Sequence, residues 1–448
     1  MKTSFASSYP NHLTVPQESV NRYGTSYRRR RRSQGIKIES ARSQNQNEKE
    51  DLDFNDLEKY DNFYHTTKSL LVLFQVMGVM PIERNKGHTT FRWRSPAIIW
   101  SYALFTVETF FVGLVFKSRL NLIMQPGKPF DEYIYGFIFL SILIPHFLLP
   151  LVAWSNGAEV VKFKNMWTRF QLKFLQVTGH QIVFKKLEII CNSFCICSWL
   201  LSIVITIAQY YLQPDMLLWH TFGYYHILAM LNGLVSLWYI NTTSMGKVAD
   251  RLSDLLKEAL QEESDEKLAD YRDIWVDLSH MLQQFGKGYS GLYACMYLLV
   301  PVTTIVATFG CVTEIMDHGL SLKEAGLFII AIYCCVLLFI FCNEAYVATN
   351  KMGSDFRDVL MSINMTLVGS RIQQEINMFL TAIQKNPPNM NLNGYTIINR
   401  KLLSTTVTSV ATYLVILMQF RMTLMRNSIG HSTGNKTVTN NMAVDVDI

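Results

Sequence analysis

Ionisable and hydroxyl side chains set inside apolar stretches are the residues of this sequence whose chemistry asks for an explanation. Glu108 lies in the middle of the apolar window 97–116, and His146 stands between Pro145 and Phe147 in the window 133–154. A carboxylate there could coordinate a cation, or stand neutral and hydrogen-bonded to a neighbouring helix; the cost of charge in hydrocarbon favours the second reading. His146 reads as a core polar group beside a proline hinge. Cys191, Cys195 and Cys197 suggest metal ligands, but they lack the nearby histidine or second cysteine pair that a zinc site needs. All eight cysteines lie in or beside apolar windows, where reduced, packed thiols are expected. The sequence carries no Walker loop, Rossmann glycine fingerprint, HExxH or GxSxG, so neither enzymatic activity nor a cofactor is expected.

Two further groups could bind or conduct. Gln209, Tyr210 and Tyr211 end one apolar window, and Trp219, His220, Tyr224, Tyr225 and His226 begin the next, all at similar depth. An aromatic belt at a bilayer interface uses these residue types. So does a pocket with apolar walls and a few polar groups, for which Gln209, Tyr210, His220, Tyr224 and Tyr225 are the candidates. No Lys or Arg falls among them, which disfavours an anionic ligand relative to a neutral one. The second group is in "STTVTSVATYLVILMQFRM", residues 404–422, where helical spacing aligns Thr405, Ser409, Thr412, Ile416 and Gln419, with Tyr413 and Phe420 beside them. Such a stripe can pack on other helices, bond back to its own carbonyls, or line water. On the residues alone, packing leads.

These groups need elements to position them, and composition names the kind. Of 448 residues, 49% are hydrophobic and 17% charged, which excludes an ordinary soluble domain. Seven windows are long and apolar enough to span a bilayer: 97–116, 133–154, 187–212, 217–240, 290–312, 325–346 and 402–420. The expected fold is all-α, with seven transmembrane helices. With the amino terminus inside, 34 of the 41 basic residues fall on the cytoplasmic side and 7 outside, so the amino end is cytoplasmic and the carboxyl end extracellular. G-protein-coupled receptors run the other way up. On this topology the sequon at Asn435 is a candidate glycosylation site in an external tail, 421–448, whereas those at Asn241 and Asn364 lie inside and stay bare.

Outside the bilayer, residues 1–65 join "YRRRRRSQ" to "EKEDLDFNDLEK" and read as a disordered cytosolic tail, with inner-leaflet lipid rather than nucleic acid as its partner. Residues 66–346 carry the first six spans. The fourth flows without a breaker into 241–289, where Leu252, Leu255, Leu256, Leu260, Trp275, Leu278, Leu282 and Phe285 recur at helical spacing, so an amphipathic cytosolic hairpin is expected. Segment 347–401 holds a second amphipathic helix, 371–384, halted by Pro387 and Pro388. These apolar stripes can pack on one another or between subunits.

"TYLVILMQF", Thr412 to Phe420, resembles the TYhhhhhQF signature (h, hydrophobic) of the insect gustatory receptor family, in the matching last helix. With seven helices, an inside amino end and the long hairpin, the resemblance covers roughly residues 65–422. Segments "MGVMPIERNKGHTTFRWRSP" (77–96) and "KNPPNMNLNGYTIINRKLL" (385–403) look most similar to the carbon dioxide receptor branch. The sugar branch usually has Glu after the Thr-Tyr pair, where this chain has Leu414. The resemblance implies a ligand-gated, non-selective cation channel of four paralogous subunits in the plasma membrane of chemosensory neurons. It implies that the last helix, 402–420, lines the pore, that Gln419 and Phe420 form the gate, and that Tyr413 couples it to neighbouring helices. The ligand, a small neutral molecule such as carbon dioxide, would sit among helices two to six in the outer half. Two other classes stay open: a non-conducting seven-helix receptor, suggested by the hairpin, and a transporter, suggested by Glu108 and His146.

Overall fold

The computed structural model describes residues 58–85, 87–125, 130–212, 216–319 and 322–443, within a unit spanning Leu57–Ile448. The expected tail over 1–57, with its arginine run, lies outside the described residues. Residues 58–65 depart from that expectation, because order begins before residue 66. Helix α1, Asn62–Val76, opens on Asp61, whose Oδ1 accepts the Tyr64 N–H at 3.0 Å. The same buried carboxylate accepts bonds from Arg84, Thr168 and Gln171, each at 2.7 Å. A buried charge met by that many donors is a stable anchor rather than a liability. It ties α1 to the short hairpin β1 (Glu83–Asn85) and β2 (His88–Thr90), and to helix α4 below.

Ser95 caps helix α2, Pro96–Met124, with a proline in its first turn. Helix α3, Phe130–Ser155, contains Pro145 and Pro150, and the chain bends by 59° into α4, Gly157–Thr178. Then follow α5, Lys185–Leu212, and α6, His220–Gln261, which runs on for 42 residues and turns at Glu263 into α7, Asp265–Gly288. Helices α8, Ser290–His318, and α9, Leu322–Asn350, pack on each other. A widened turn, Lys351–Asp355, leads to α10, Phe356–Met361, then α11, Ser370–Lys385, and α12, Arg400–Ala443. The expected external tail is thus helical as far as Ala443; the Asn435 side chain lies outside the described residues.

Each of the seven apolar windows falls on a helix: α2, α3, α5, α6, α8, α9 and α12. Among the described residues, five of these are long and apolar enough to cross a membrane, and a sixth arises if the bent pair α3 and α4 counts as one span. Helix α6 is not among them, because Tyr224, Tyr225, His226 and Asn232 dilute its apolar stretch. Its position explains the tolerance. Helices α2, α3, α5 and α9 surround it, and residues 223–236 are almost all buried. A helix shielded from lipid by other helices has no need of a lipid-soluble surface.

The hairpin expected over 241–289 is present. Leu252, Leu255, Leu256, Trp275, Leu278, Leu282 and Phe285 are buried, and Leu260 is half-buried. Their partners belong to the same chain: α7 packs on α4 and on α11, whose Ile372, Ile376, Phe379 and Ile383 are buried. Trp275 meets Phe379 at 5.9 Å and donates its indole N–H to Met352 O in the widened turn, at 2.9 Å. Gly286 is required where α7 meets the segment before α12, since a Cβ there would lie 2.4 Å from Asn391 O. Asn241 is fully buried and donates to Leu237 O, out of reach of any glycosylating enzyme.

Candidate ligand pocket and gate helix

A cavity of about 70 Å³ lies among α3, α5, α6, α8 and α9. Its wall is mostly aliphatic and aromatic, with Thr206, Gln209, Tyr224, Thr303 and Tyr333 as polar members. Most of this polarity is directed into the protein. Thr206 donates to Ser202 O at 2.7 Å, and Thr303 to Leu299 O at 3.0 Å. Tyr333 donates to Asn232 Oδ1 at 2.8 Å, and Asn232 in turn donates to Ser202 Oγ at 2.9 Å. Gln209 donates to Gly326 O at 3.2 Å. What remains is a small apolar chamber suited to a small neutral molecule.

Of the five pocket candidates, Gln209 and Tyr224 line the chamber. Tyr210 instead packs edge-on against the exposed Tyr211, at 5.7 Å, as a belt residue would. Tyr225 packs against Trp199, and His220 is buried with its Nδ1 accepting the Leu217 N–H at 3.3 Å. Phe139, Pro145, Met296 and Tyr333 line the chamber without having been singled out. They come from three other helices, and nothing local in an apolar run marks which face will meet a cavity.

The expectation that no basic residue reaches this cluster is wrong. Arg119, near the C-terminal end of α2, is 4% exposed, and its guanidinium lies 4.9 Å from the Phe139 ring centroid and beside the Tyr224 hydroxyl. Arg119 is remote in sequence from the residues it joins; only the packing of α2 on α3 and α6 brings it in.

Of the two ionisable groups in apolar windows, His146 meets its expectation and Glu108 does not. His146 is fully buried, stacks on Phe105 at 4.9 Å and shares a hydrogen bond of 2.9 Å with Thr109, as a core polar group should. Glu108 was expected to bond to a neighbouring helix, but its buried Oε2 has no hydrogen-bond partner among the described residues.

Helix α12 shows two faces. The inner one carries Thr406, whose hydroxyl meets that of Tyr297 at 2.7 Å, and Leu414, Leu417 and Met418, which pack against Phe309, Cys311 and Leu327. Arg400 donates to Asn343 Oδ1 at 2.8 Å at the start of α12, and Arg421, about midway along it, pairs with Asp317. The other face holds Thr405, Ser409, Thr412, Tyr413, Ile416, Gln419 and Phe420, all exposed. Its hydroxyls bond back along the helix: Thr405 to Lys401 O, Ser409 to Thr405 O and Thr412 to Thr408 O, at 2.9 to 3.0 Å. Polarity alone therefore does not require water beside them. Tyr413 is 57% exposed, so the ties to the rest of the subunit run through Thr406, Leu414, Leu417 and Arg421 rather than through this ring.

Residues 67–424 match the 7tm chemosensory receptor family. The chain is 53% identical to gustatory and odorant receptor 22 of Anopheles gambiae, over 84% of this chain and 82% of that one. It is 50% identical to gustatory and odorant receptor 21a of Drosophila melanogaster, over 83% of each. The insect olfactory receptor OR5 from Machilis hrabei shares the fold with a TM-score of 0.60 at 10% identity, over 80% of this chain and 99% of that one. The same receptor in complex with eugenol gives a TM-score of 0.54, over 82% and 99%. This all-α, multi-pass membrane chain is a receptor and not an enzyme, and it belongs to the insect gustatory receptors of the 7tm chemosensory receptor family.

Proposed function

We propose that the chain is one subunit of a ligand-gated, non-selective cation channel, assembled as a tetramer with paralogous gustatory receptor subunits. In this reading seven helices cross the plasma membrane of a chemosensory neuron, the amino end is cytoplasmic, and the carboxyl end with Asn435 is outside. The observation that carries the proposal is the bare face of α12: Tyr413, Ile416 and Phe420 are 57%, 51% and 61% exposed, along a helix whose opposite face is fixed to α8 and α9. Around a shared axis, Thr405, Ser409 and Thr412 would wet the inner pore. Ile416, Gln419 and Phe420 would form the narrow ring above, which closes by dewetting.

Carbon dioxide is the proposed stimulus. Support comes from the resemblance of residues 77–96 and 385–403 to the carbon dioxide branch and from the apolar character of the small cavity. So few heavy atoms bind weakly, and gating would rest on a shallow preference between closed and open states. A sugar reading is less well supported, since Leu414 packs into an apolar cluster where the sugar branch has Glu. The hairpin stripes that suggested a non-conducting receptor pack within the subunit.

The test is Gln419→Ala with Phe420→Ala, co-expressed with paralogous subunits and recorded under carbon dioxide at fixed pH. Altered resting current or ligand response is expected. Currents indistinguishable from those of the unaltered chain would remove the gate, and absence of evoked current in excised patches would remove the channel.

A further inference from the structure

Among the described residues, Arg119 is a cation without an anion. It sits near the C-terminal end of α2, 4% exposed, with Nε and Nη2 buried and lacking any hydrogen-bond partner among the described residues. None of the ion pairs among the described residues involves it. An uncompensated buried charge is expensive, and a guanidinium is always charged, so deprotonation cannot relieve it. Phe139 takes part of one face of the cation. That contact and the hydrogen bond to Tyr224 leave Nε and Nη2 unanswered, and two such in-plane N–H groups recognise a carboxylate-like oxyanion through paired hydrogen bonds.

The surroundings complete a donor set. The Tyr224 hydroxyl is hydrogen-bonded to the guanidinium and donates its proton to Phe139 O at 3.5 Å, so it positions Arg119, and the ring of His220, also buried, is in electrostatic range of the cation. Because His220 Nδ1 accepts the Leu217 N–H, the ring proton belongs on Nε2, a further donor. Arg119 comes from α2, His220 and Tyr224 from α6, so rigid helices hold the arrangement. Phe139 and Tyr224, both in contact with Arg119, also line the apolar cavity, which places Arg119 beside that chamber though not in its wall.

We infer that Arg119, with Tyr224 and His220, forms a subsite for a small oxyanion of carboxylate geometry beside the cavity. Bicarbonate is the occupant that the proposed stimulus generates, since CO2 + H2O gives HCO3⁻ and H⁺; an organic carboxylate presents the same chemistry. The inference rests on the reading of the chain as a ligand-binding subunit. It splits the site into an apolar chamber for a neutral body and a cationic subsite beside it for a charged head.

The experiment is thermal melting of the purified full-length chain in detergent, followed by tryptophan fluorescence at fixed pH and ionic strength. Sodium bicarbonate, sodium formate and sodium chloride are titrated separately. Bicarbonate and formate are expected to raise the melting temperature saturably and chloride not to. Formate acting alone assigns the subsite to organic carboxylates. Arg119→Gln is expected to weaken the effect about thirtyfold or more, and Arg119→Lys to retain part of it. Neither anion exceeding chloride on the unaltered chain, a result that needs no variant, overturns the inference; so does a full effect in Arg119→Gln. Channel recordings stay independent: a bicarbonate shift without evoked current sinks the channel reading alone, and evoked current without a shift sinks the subsite alone.

Discussion

The Arg421 guanidinium pairs with the Asp317 carboxylate, joining α12, one residue beyond Phe420, to the end of α8. Arg421 is almost fully buried, so the pair fixes the helix next to the proposed gate. Removing one partner of a buried pair costs about 3 kcal/mol. Arg421→Ala and Asp317→Ala are each expected to shift the resting open fraction in patch recordings. The exchanged pair, Asp317→Arg with Arg421→Asp, is expected to restore it. Unchanged gating in both single variants would make the pair a purely structural contact.

Accessibility along α12 tests the pore face directly. Cysteine at Ser409, Thr412 or Ile416 is expected to react with a water-soluble thiol probe, at a rate that changes with ligand. Cysteine at Thr406 or Leu414, on the packed face, is expected to react slowly in every state. Equal labelling on both faces, or none on either, contradicts the assignment.

Filling the cavity separates ligand binding from gating. Thr206→Leu adds apolar volume to a chamber of about 70 Å³ and gives up a hydroxyl that bonds only to its own helix. Overpacking costs about 1–3 kcal/mol at most sites. The expected outcome is a dose–response curve moved about tenfold to higher concentration, with the melting temperature of the purified chain changed by a few degrees. A response left in place would move the binding site elsewhere.

Lys164 gives the protein a stability that depends on pH. Its ammonium is buried on α4 over the Phe63 ring, at 4.9 Å, without a hydrogen-bond partner among the described residues. Burial pushes its pKa down from 10.5 to about 8, and nearby Asp61 only partly opposes this. Below pH 8 both folded and unfolded chains hold the proton, and the folded state carries the full cost of the buried charge. Between pH 8 and 10.5 the unfolded chain binds more protons, so stability rises with pH across that window. Lys164→Met is expected to be more stable than the unaltered chain at pH 7, by about 3 kcal/mol at most. The advantage should fade by pH 10.5; melting curves at both pH values check it, and a difference independent of pH would refute the titration.

Much of this architecture was legible in the sequence because its signals are local. The apolar windows fall on helices, the Leu252 to Phe285 spacing gives the hairpin, and the stripe that helical spacing assigns on α12 lies within a broader exposed face that also takes in Val407 and Val415. Relationships between distant segments were not legible. Asp61 was taken as part of a polar tail, yet it anchors Arg84, Thr168 and Gln171, up to 110 residues away. Arg119 was counted only as an external charge. Tyr210 and Tyr225 were read as pocket residues from their depth alone, because composition gives the level of a side chain in the bilayer and not the azimuth at which it points. The cavity is assembled from five helices, and each supplies a few residues indistinguishable in type from their neighbours.

The shielded position of α6 carries a consequence for biosynthesis. A segment interrupted by Tyr224, His226 and Asn232 partitions poorly from the translocon into lipid as an isolated helix, since polar residues near the centre of a span raise the insertion free energy. On the proposed seven-helix topology its integration is expected to be cooperative, received by α2, α3 and α5, which are made before it. Chains interrupted just after α6 should leave that helix unintegrated unless the three earlier ones are present, a dependence that glycosylation tags on truncated chains would reveal. The core of this receptor is therefore laid down in an order set by the ribosome, with its most central helix inserted as a guest of the helices made before it.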